Sequence, residues 1–246
     1  MKQVILTIKS NEALTADVYR MVLVGDISAI SAPGQFVNIK LDGMFLRRPI
    51  SVCDIEGNEL TIIYKVVGKG TELMSSLREG KELDVLTGLG NGYTLCGEEP
   101  LLIGGGVGVP PMYLLAKKLL ANGKKPKVIM GFNTAGEIFY EKEFAKIGCD
   151  VTVTTADGSY GIRGYVTDAL SEEEKCRYKY VYTCGPEPML KAVYKTFDIP
   201  GQFSFEERMG CGFGACMGCS CKTITGFKRI CKDGPVLKKE EILWED

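Results

Sequence analysis

Residues 209–231 read MGCGFGACMGCSCKTITGFKRIC, and four of their five cysteines follow the order Cys211-x4-Cys216-x2-Cys219-x11-Cys231. Three thiolates within nine residues, and a fourth a short loop away, can surround one small inorganic centre. The x4 and x2 spacing is that of plant-type [2Fe–2S] ligation. The interspersed glycines suit a loop that turns tightly and aims backbone N–H groups at sulfur. We therefore predict that these four cysteines bind a [2Fe–2S] cluster.

Other interpretations of the cysteines stay open. A structural zinc site also takes four thiolates, although it prefers C-x2–4-C pairs without so many glycines. Disulfides are typical of secreted proteins, and nothing else marks this chain as secreted. Cys221 is a further ambiguity, because residues two apart in an extended segment point the same way, so Cys221 could substitute for Cys219. We prefer Cys219 for its spacing and interpret Cys221 as a buried neutral thiol.

The composition excludes several classes of protein. The 246 residues are 45% hydrophobic and 25% charged, which is typical of a soluble globular protein of one large or two ordinary domains. A net charge of −1 offers no electrostatic footprint for nucleic acid or anionic membrane. No apolar run reaches membrane-spanning length, and the N-terminus meets charged residues too early for a signal peptide. We therefore expect a cytoplasmic protein, in which thiols stay reduced.

The chain contains no histidine. This excludes a Rieske centre, Ser-His-Asp triads, Cys-His dyads and HExxH zinc sites. Such a chain is better suited to moving electrons or hydrides, for which a cofactor supplies the reactivity. We predict no catalytic side chain.

The first 97 residues have a β pattern. Short apolar runs at residues 4–8, 18–24, 36–41, 60–66 and 83–86 are separated by glycine and proline turns, and a short helix is predicted over residues 71–77. Several short strands at near-regular spacing indicate a small antiparallel barrel.

Two segments of this barrel suit a phosphate-bearing ligand. The first is RRPIS at residues 47–51, whose arginine fork matches a pyrophosphate. The second is IYKVVGKGT at residues 63–71, a strand followed by a glycine turn and a threonine at a helix start. Free N–H groups at a helix N-terminus bind anions.

From about residue 100 strands alternate with helices, which indicates a parallel sheet with right-handed crossovers. The predicted strands are residues 101–103, 128–132, 151–155 and 180–183, and the predicted helices are residues 112–120, 141–147, 165–170 and 188–197. Ligands bind at the carboxyl ends of such strands. Three loops follow strand ends there, at residues 104–111, 154–158 and 183–186, and together they predict a nucleotide cleft. The first is not a GxGxxG fingerprint, because Val109 occupies the final glycine position.

From residue 201 the pattern returns to loops, carries the cysteine motif and ends in an acidic tail with the only tryptophan, Trp244. The predicted organisation is therefore an antiparallel β barrel that binds a phosphate-bearing ligand over residues 1–97, an α/β nucleotide-binding domain with a parallel sheet over residues 98–200, and a small iron–sulfur segment over residues 201–246.

The order of these motifs across the whole chain resembles the ferredoxin–NADP reductase superfamily. The motifs are Arg48-Pro49-x-Ser51, Gly70-Thr71, Gly104-Gly105-Gly106-x-Gly108 and Cys184-Gly185-Pro186. The terminal C-x4-C-x2-C-x11-C is similar to one branch, the electron-transfer subunits of dihydroorotate dehydrogenase B. The resemblance implies an FAD-binding barrel, a pyridine-nucleotide domain and a [2Fe–2S] cluster.

The resemblance also implies which residues bind these groups. The flavin and its pyrophosphate are lined by Arg48, Pro49, Ile50 and Ser51, with Ile63, Tyr64 and Lys65 on the facing strand and Gly70 and Thr71 at the FAD phosphates. The nicotinamide nucleotide is bordered by Gly104, Gly105, Gly106, Gly108, Cys184, Gly185 and Pro186. The cluster ligands are Cys211, Cys216, Cys219 and Cys231.

The preferred nucleotide follows from one loop. NADP-using relatives carry basic residues near the 2′-phosphate, whereas the loop at residues 133–137 reads NTAGE and has no arginine. This favours NAD as the substrate over NADP.

The resemblance implies a partner subunit that holds FMN and oxidises dihydroorotate to orotate. Electrons would pass from that FMN through the cluster and FAD to NAD+, as part of pyrimidine biosynthesis, in a heterotetramer with two copies of each subunit. The same modules occur in NAD(P)H:ferredoxin reductases and in hydrogenase-associated flavin and iron–sulfur subunits. A zinc-stabilised nucleotide sensor without a redox role is a third reading.

Overall fold

The computed structural model describes residues 1–244, so the last two residues of the predicted C-terminal segment lie outside the described residues. The first unit is a closed six-stranded barrel whose neighbouring strands all pair antiparallel, in the order β1-β2-β5-β4-β3-β6. Its strands are β1 (Lys2–Ala13), β2 (Val18–Gly25), β3 (Phe36–Ile39), β4 (Arg48–Glu56), β5 (Glu59–Lys65) and β6 (Glu82–Leu89), and helix α1 (Lys69–Ser76) lies between β5 and β6. Alternating apolar residues such as Leu6, Ile8, Met21 and Leu23 fill its interior.

The second unit is a seven-stranded sheet with helices between its strands. The strands up to residue 204 are β7 (Pro100–Gly105), β8 (Lys127–Phe132), β9 (Asp150–Thr155), β10 (Ile162–Arg163), β11 (Tyr180–Cys184) and β12 (Gly201–Ser204). The helices are α2 (Val109–Ala121), α3 (Glu141–Lys146), α4 (Glu172–Lys175) and α5 (Glu187–Thr196). These six strands pair parallel in the order β10-β9-β8-β7-β11-β12. The predicted combination of antiparallel barrel and parallel sheet is confirmed.

The chain after residue 204 forms a hairpin and the last strand of the sheet. Strands β13 (Ser220–Thr223) and β14 (Gly226–Arg229) pair with each other, and β15 (Val236–Lys238) pairs antiparallel with β12. The expectation of loops throughout this segment was wrong at these strands. Residues such as Phe203 and Leu237 are far apart in sequence and pair only in the folded chain, where both are buried in one core.

The helix predicted over residues 165–170 was also wrong. The structure has a single 3-10 turn, Val166–Asp168, and α4 begins only after Ser171. The Asp168 carboxylate accepts the Tyr165 backbone N–H at 2.8 Å, a local bond that closes the turn without continuing it as a helix.

The barrel and the sheet share one core. Barrel residues Val18 and Ile63 are buried with Met112 and Leu115 of α2. Beside this core, Lys117 Nζ of α2 lies 2.8 Å from both carboxylate oxygens of Asp54 on β4. Within residues 1–244 no helix is long and apolar enough to cross a bilayer.

Candidate functional site

A cleft of about 590 Å³ opens at the carboxyl ends of β7, β8, β9 and β11. Of the residues predicted to border a nucleotide, the structure places five on its wall: Gly105, Gly106, Gly108, Gly185 and Pro186. Gly104 and Cys184 are buried beneath that wall and do not line it. Burial raises the pKa of the Cys184 thiol to about 12, so this thiol is neutral at physiological pH.

Glycine lets the two nearest loops touch. A Cβ at Gly108 would lie 2.2 Å from the Cys184 carbonyl oxygen, and one at Gly105 would lie 2.5 Å from the Met189 sulfur. The backbones that follow β7 and β11 therefore come into direct contact, without side chains between them. Main-chain N–H groups at this contact are available to a phosphate-bearing ligand.

Two polar side chains of this cleft belong to loops that the sequence pointed to, although neither was among the predicted site residues. Glu137 follows β8, and its carboxylate accepts hydrogen bonds from the Asn133 backbone N–H at 3.2 Å and from Asn133 Nδ2 at 2.9 Å. Thr154 is fully buried at the end of β9, and its hydroxyl has no hydrogen-bond partner among residues 1–244. The available signal was their place at strand ends, in the loops at residues 133–137 and 154–158, because side chains at neighbouring strand ends converge.

Glu206 also faces the cleft, from the loop after β12. Desolvation raises the pKa of its carboxyl group. Opposite it, Lys65 reaches the cleft from the end of β5, and its Nζ lies 3.1 Å from Asp17 Oδ2. The last residue of the predicted facing strand thus lies where the barrel meets the nucleotide cleft.

The predicted flavin residues lie on β4, β5 and the start of α1. The Arg48 guanidinium packs on Gly70 so closely that a Cβ there would lie 1.9 Å from Arg48 Nε. Arg48 and the first turn of α1 therefore present a guanidinium and helix N–H groups side by side, which suits a pyrophosphate. Pro49, Ile50 and Ser51 continue along β4, half-buried and paired with β3.

Two of the predicted flavin residues have their side chains engaged elsewhere. The Thr71 hydroxyl accepts the backbone N–H groups of Val67 at 2.9 Å and Gly68 at 3.3 Å, so it holds the turn before α1. Tyr64 is 2% exposed in the barrel core, where its hydroxyl donates to Asn11 Oδ1 at 2.8 Å. Ile63, which precedes Tyr64 on β5, faces the core shared with the sheet.

The four motif cysteines come together in two pairs. The Cys216 backbone N–H lies 3.4 Å from Cys211 Sγ, and the Cys231 backbone N–H lies 3.4 Å from Cys219 Sγ. Within residues 1–244 no three His, Cys, Asp or Glu side chains are grouped closely enough to hold a single ion. A [2Fe–2S] cluster takes two ligands on each of two irons, so paired thiols fit it better than they fit tetrahedral zinc.

Backbone amides surround Cys211. Burial alone would raise the pKa of its thiol, but the N–H groups of Phe213, Cys216 and Ala215 point at the sulfur and lower the pKa to about 6. The Ala215 and Cys216 nitrogens lie 3.2 and 3.4 Å from Cys211 Sγ. The loop is therefore arranged to hold a thiolate, the form that binds iron.

Cys221 lies away from these pairs. It belongs to β13 and lines a separate pocket with Phe205 and Trp244. Cys219 precedes β13 and lies in a turn, so the two residues do not share one extended strand. Partial burial raises the pKa of the Cys221 thiol, as expected of a neutral side chain.

The cluster loop is tied to the barrel by Asn38, which is 1% exposed on β3 opposite Pro49. Asn38 Nδ2 donates to the Cys211 carbonyl oxygen at 3.3 Å. Gly212 makes this approach possible, because a Cβ there would lie 2.3 Å from Asn38 Nδ2. The strand pair that carries the flavin motif therefore contacts the first cluster cysteine.

Comparison with known proteins accords with these three sites. Residues 206–243 match the iron–sulfur cluster binding domain of dihydroorotate dehydrogenase B, and residues 102–195 match the oxidoreductase NAD-binding domain. The chain is 43% identical over 257 residues to the dihydroorotate dehydrogenase B (NAD(+)) electron transfer subunit of a Geobacillus species, covering 99% of both chains. It is 42% identical to the protein of that name from Fusobacterium nucleatum, covering 96% of both.

The chain belongs to the family of dihydroorotate dehydrogenase B electron transfer subunits. The predicted resemblance is thereby confirmed.

A solved structure relates this family to another enzyme. The NADH-dependent reduced ferredoxin-NADP oxidoreductase, studied for flavin-based electron bifurcation, has a chain that superposes with a TM-score of 0.88 at 31% identity. The match covers 98% of this chain and 90% of that one. The arrangement of barrel, sheet and cysteine loop is thus shared beyond the dihydroorotate dehydrogenase B family.

Proposed function

We propose that this chain is the electron-transfer subunit of an NAD-linked dihydroorotate dehydrogenase. It passes electrons from the FMN of a catalytic partner subunit through a [2Fe–2S] cluster and FAD to NAD+, in the cytoplasm, as a step of pyrimidine biosynthesis. The observation that carries the proposal is the loop of paired cysteines, joined through Asn38 of β3 to the strand pair that carries the flavin motif, in a chain matched along almost its whole length by this family.

Each unit has one role in this proposal. Residues 1–97 hold FAD, residues 98–200 hold NAD, and residues 201–246 hold the cluster. The sheet of the second unit is completed by β12 and β15 of the third, so the cluster segment and the nucleotide domain are one packed body. When bound, flavin takes up two electrons together and releases them singly, which matches a two-electron nucleotide to a one-electron cluster.

The residues of this chain bind, orient and shield these groups. We assign the pyrophosphate of FAD to Arg48 and the first turn of α1, where Gly70 leaves room for the guanidinium. In this assignment Thr71 acts through the turn that its hydroxyl holds. Pro49, Ile50, Ser51, Ile63, Tyr64 and Lys65 complete the flavin side.

We assign the nucleotide to the cleft walled by Gly105, Gly106, Gly108, Gly185 and Pro186, with Gly104 and Cys184 packed beneath. Within residues 1–244, Lys65 is the only lysine or arginine on that wall, and it is paired with Asp17. The carboxylates of Glu137 and Glu206 also face the cleft. A 2′-phosphate would meet negative charge here, which supports NAD over NADP.

We assign the cluster to Cys211, Cys216, Cys219 and Cys231. The fit rests on two cysteine pairs, each joined by a backbone N–H contact to sulfur, and on backbone amides that favour the thiolate of Cys211. Cys221 is left out of this set because it faces another pocket.

The partner supplies the chemistry that this chain lacks. The chain has no histidine, and neither its sequence motifs nor the described residues offer a positioned base for oxidising a small carbon acid. We propose a complex with two copies of each subunit, in which the cysteine loop faces the partner because electron transfer requires short distances.

Reconstitution of the two purified subunits tests the function. The isolated chain should reduce artificial acceptors with NADH and leave dihydroorotate unchanged, whereas the complex should reduce NAD+ at the expense of dihydroorotate. A complex of the partner with the Cys219→Ser chain should assemble yet transfer no electrons to NAD+. A fully loaded wild-type complex that reduces no NAD+ would refute the proposal.

One observation favours a second candidate, an NADH-dependent ferredoxin reductase. The chain superposes along nearly its whole length on an oxidoreductase that uses ferredoxin. Rapid reduction of a ferredoxin by NADH through the isolated chain, together with failure to bind the FMN-containing subunit, would favour this candidate.

A further inference from the structure

The hairpin after the cluster loop contains an arginine with two separate attachments. Arg229, at the end of β14, is held by Asp233, whose carboxylate accepts hydrogen bonds from Arg229 Nε at 2.8 Å and from Nη2 at 3.1 Å. The same carboxylate accepts the Arg229 backbone N–H at 3.0 Å. A guanidinium held by two parallel hydrogen bonds has a fixed direction.

The remaining arm of this guanidinium reaches the cluster loop. Arg229 Nη1 donates to the carbonyl oxygen of Gly214 at 2.9 Å. Gly214 has a φ of +92°, and a Cβ there would lie 2.5 Å from the Lys232 side chain. Glycine at this position therefore permits both the turn and the close approach of the hairpin.

The Gly214 carbonyl belongs to the same peptide plane as the Ala215 N–H. In a trans amide these two groups point in opposite directions. The Ala215 N–H points at Cys211 Sγ, 3.2 Å away. The hydrogen bond from Arg229 fixes the direction of the Gly214 carbonyl. Because the peptide unit is rigid, the same bond keeps the Ala215 N–H directed at Cys211 Sγ.

We propose that Arg229, fixed by Asp233, is a positioning residue that aims the Ala215 N–H at Cys211 Sγ and so raises the reduction potential of the iron–sulfur cluster. The inference rests on the proposed function, in which Cys211 is a cluster ligand. Hydrogen bonds to ligand sulfur favour the reduced, more negative state of such a centre. Loss of the bond should therefore lower the potential.

Variants of this hairpin can separate the effect of the Arg229 charge from the effect of the direction in which its guanidinium points. Arg229→Gln removes both the cation and the fork, whereas Arg229→Lys keeps the cation and loses the fork. Asp233→Asn keeps the arginine and weakens the hydrogen bonds that hold its guanidinium. The matched control is Lys228→Gln, the adjacent residue on β14, whose Nζ lies 2.6 Å from Glu241 Oε1 and whose side chain is similarly buried.

The readout is the midpoint potential of the cluster in the cofactor-loaded chain, followed by EPR during a redox titration, together with iron content. Arg229→Gln and Arg229→Lys should each shift the reduction equilibrium at least tenfold toward the oxidised state, which is 59 mV for one electron. Asp233→Asn should shift it in the same direction by less. Lys228→Gln should change the midpoint potential by less than a third of that shift.

Several outcomes would overturn the inference. A wild-type potential in Arg229→Lys would mean that only charge matters, as would an equal shift in Lys228→Gln. If the arginine variants fail to retain iron, Asp233→Asn decides, and a wild-type potential and EPR spectrum in that variant would refute the positioning role. A wild-type chain that binds no iron–sulfur cluster would instead refute the proposed function, and this inference with it.

Discussion

The cluster loop and the nucleotide cleft are built in opposite ways. All four cysteines of the cluster loop lie within residues 211–231, and the amides that face Cys211 come from the next five residues. The cleft takes its wall from the ends of four strands spread over residues 105–192, with Lys65 and Glu206 added from outside that range. A local site can be recognised from spacing alone, whereas an assembled site is visible only where strand ends meet. Five predictions test this difference.

The largest effect is expected at the cluster loop. Cys216→Ser should abolish the EPR signal of the reduced cluster and most of the bound iron, because one iron loses a thiolate ligand. The matched control is Cys221→Ser, which changes a cysteine of the same segment that faces another pocket and should keep both signals. Retention of the cluster in Cys216→Ser, or its loss in Cys221→Ser, would contradict the ligand assignment.

The flavin site should respond next most strongly. Arg48→Ala removes charge-assisted hydrogen bonds worth about 2–4 kcal/mol, so FAD affinity should fall roughly 30- to 1000-fold. Flavin retained after dilution and gel filtration gives the measurement. Arg78→Ala, at an exposed arginine beyond the C-terminal end of the same helix, should retain FAD as wild type does. Equal flavin content in wild type and Arg48→Ala would remove Arg48 from the site.

Gly108→Ala tests the assembly of the cleft. The added Cβ would lie 2.2 Å from the Cys184 carbonyl, so the loops after β7 and β11 must separate. Such overpacking should lower the free energy of unfolding by about 1–3 kcal/mol and weaken NAD+ binding. Thermal melts and calorimetric titration measure the two effects. Gly136→Ala is the control, because its Cβ would approach nothing closer than 3.8 Å; if both variants behave alike, close loop contact is not required.

Glu137→Gln tests nucleotide choice. Removing this carboxylate should relieve about 1–2 kcal/mol of repulsion with a 2′-phosphate, so that the preference for NADH over NADPH falls roughly tenfold. Calorimetric Kd values for ADP-ribose and its 2′-phosphate report binding without any redox step. Glu141→Gln, at the start of α3 and outside the cleft wall, should leave the ratio unchanged. An unchanged ratio in Glu137→Gln would place the 2′ position elsewhere.

The smallest effect is expected at Thr154. Valine has nearly the same shape and removes a buried hydroxyl that lacks a partner within residues 1–244, so the free energy of unfolding should stay equal or rise by up to about 1 kcal/mol. NAD+ affinity should fall about fivefold, because one net hydrogen bond is worth about 1 kcal/mol. Denaturant melts and calorimetry of Thr154→Val separate the two quantities. Unchanged affinity would show that the hydroxyl does not reach the nucleotide.

Prediction from the sequence was most successful where periodicity and spacing act locally. Short apolar runs separated by glycine and proline turns predicted the barrel, and strand–helix alternation predicted the parallel sheet. It failed where a distant partner or a local cap decides the outcome. The strand β15 exists because Leu237 pairs opposite Phe203, and the helix expected at residues 165–170 is replaced by a turn that Asp168 closes.

The sequence by itself determined the fold class, the cysteine spacing and the absence of histidine chemistry, because these depend on residue identity and short-range order. Only the tertiary structure decided which predicted residues meet. It placed Lys65 at the nucleotide cleft, turned Tyr64 into the barrel core and separated Cys221 from Cys219. It also brought Asn38 against Cys211, 173 residues away along the chain. Such contacts follow from the packing of barrel, sheet and loop as bodies, and no local pattern encodes the orientation of one packed body on another.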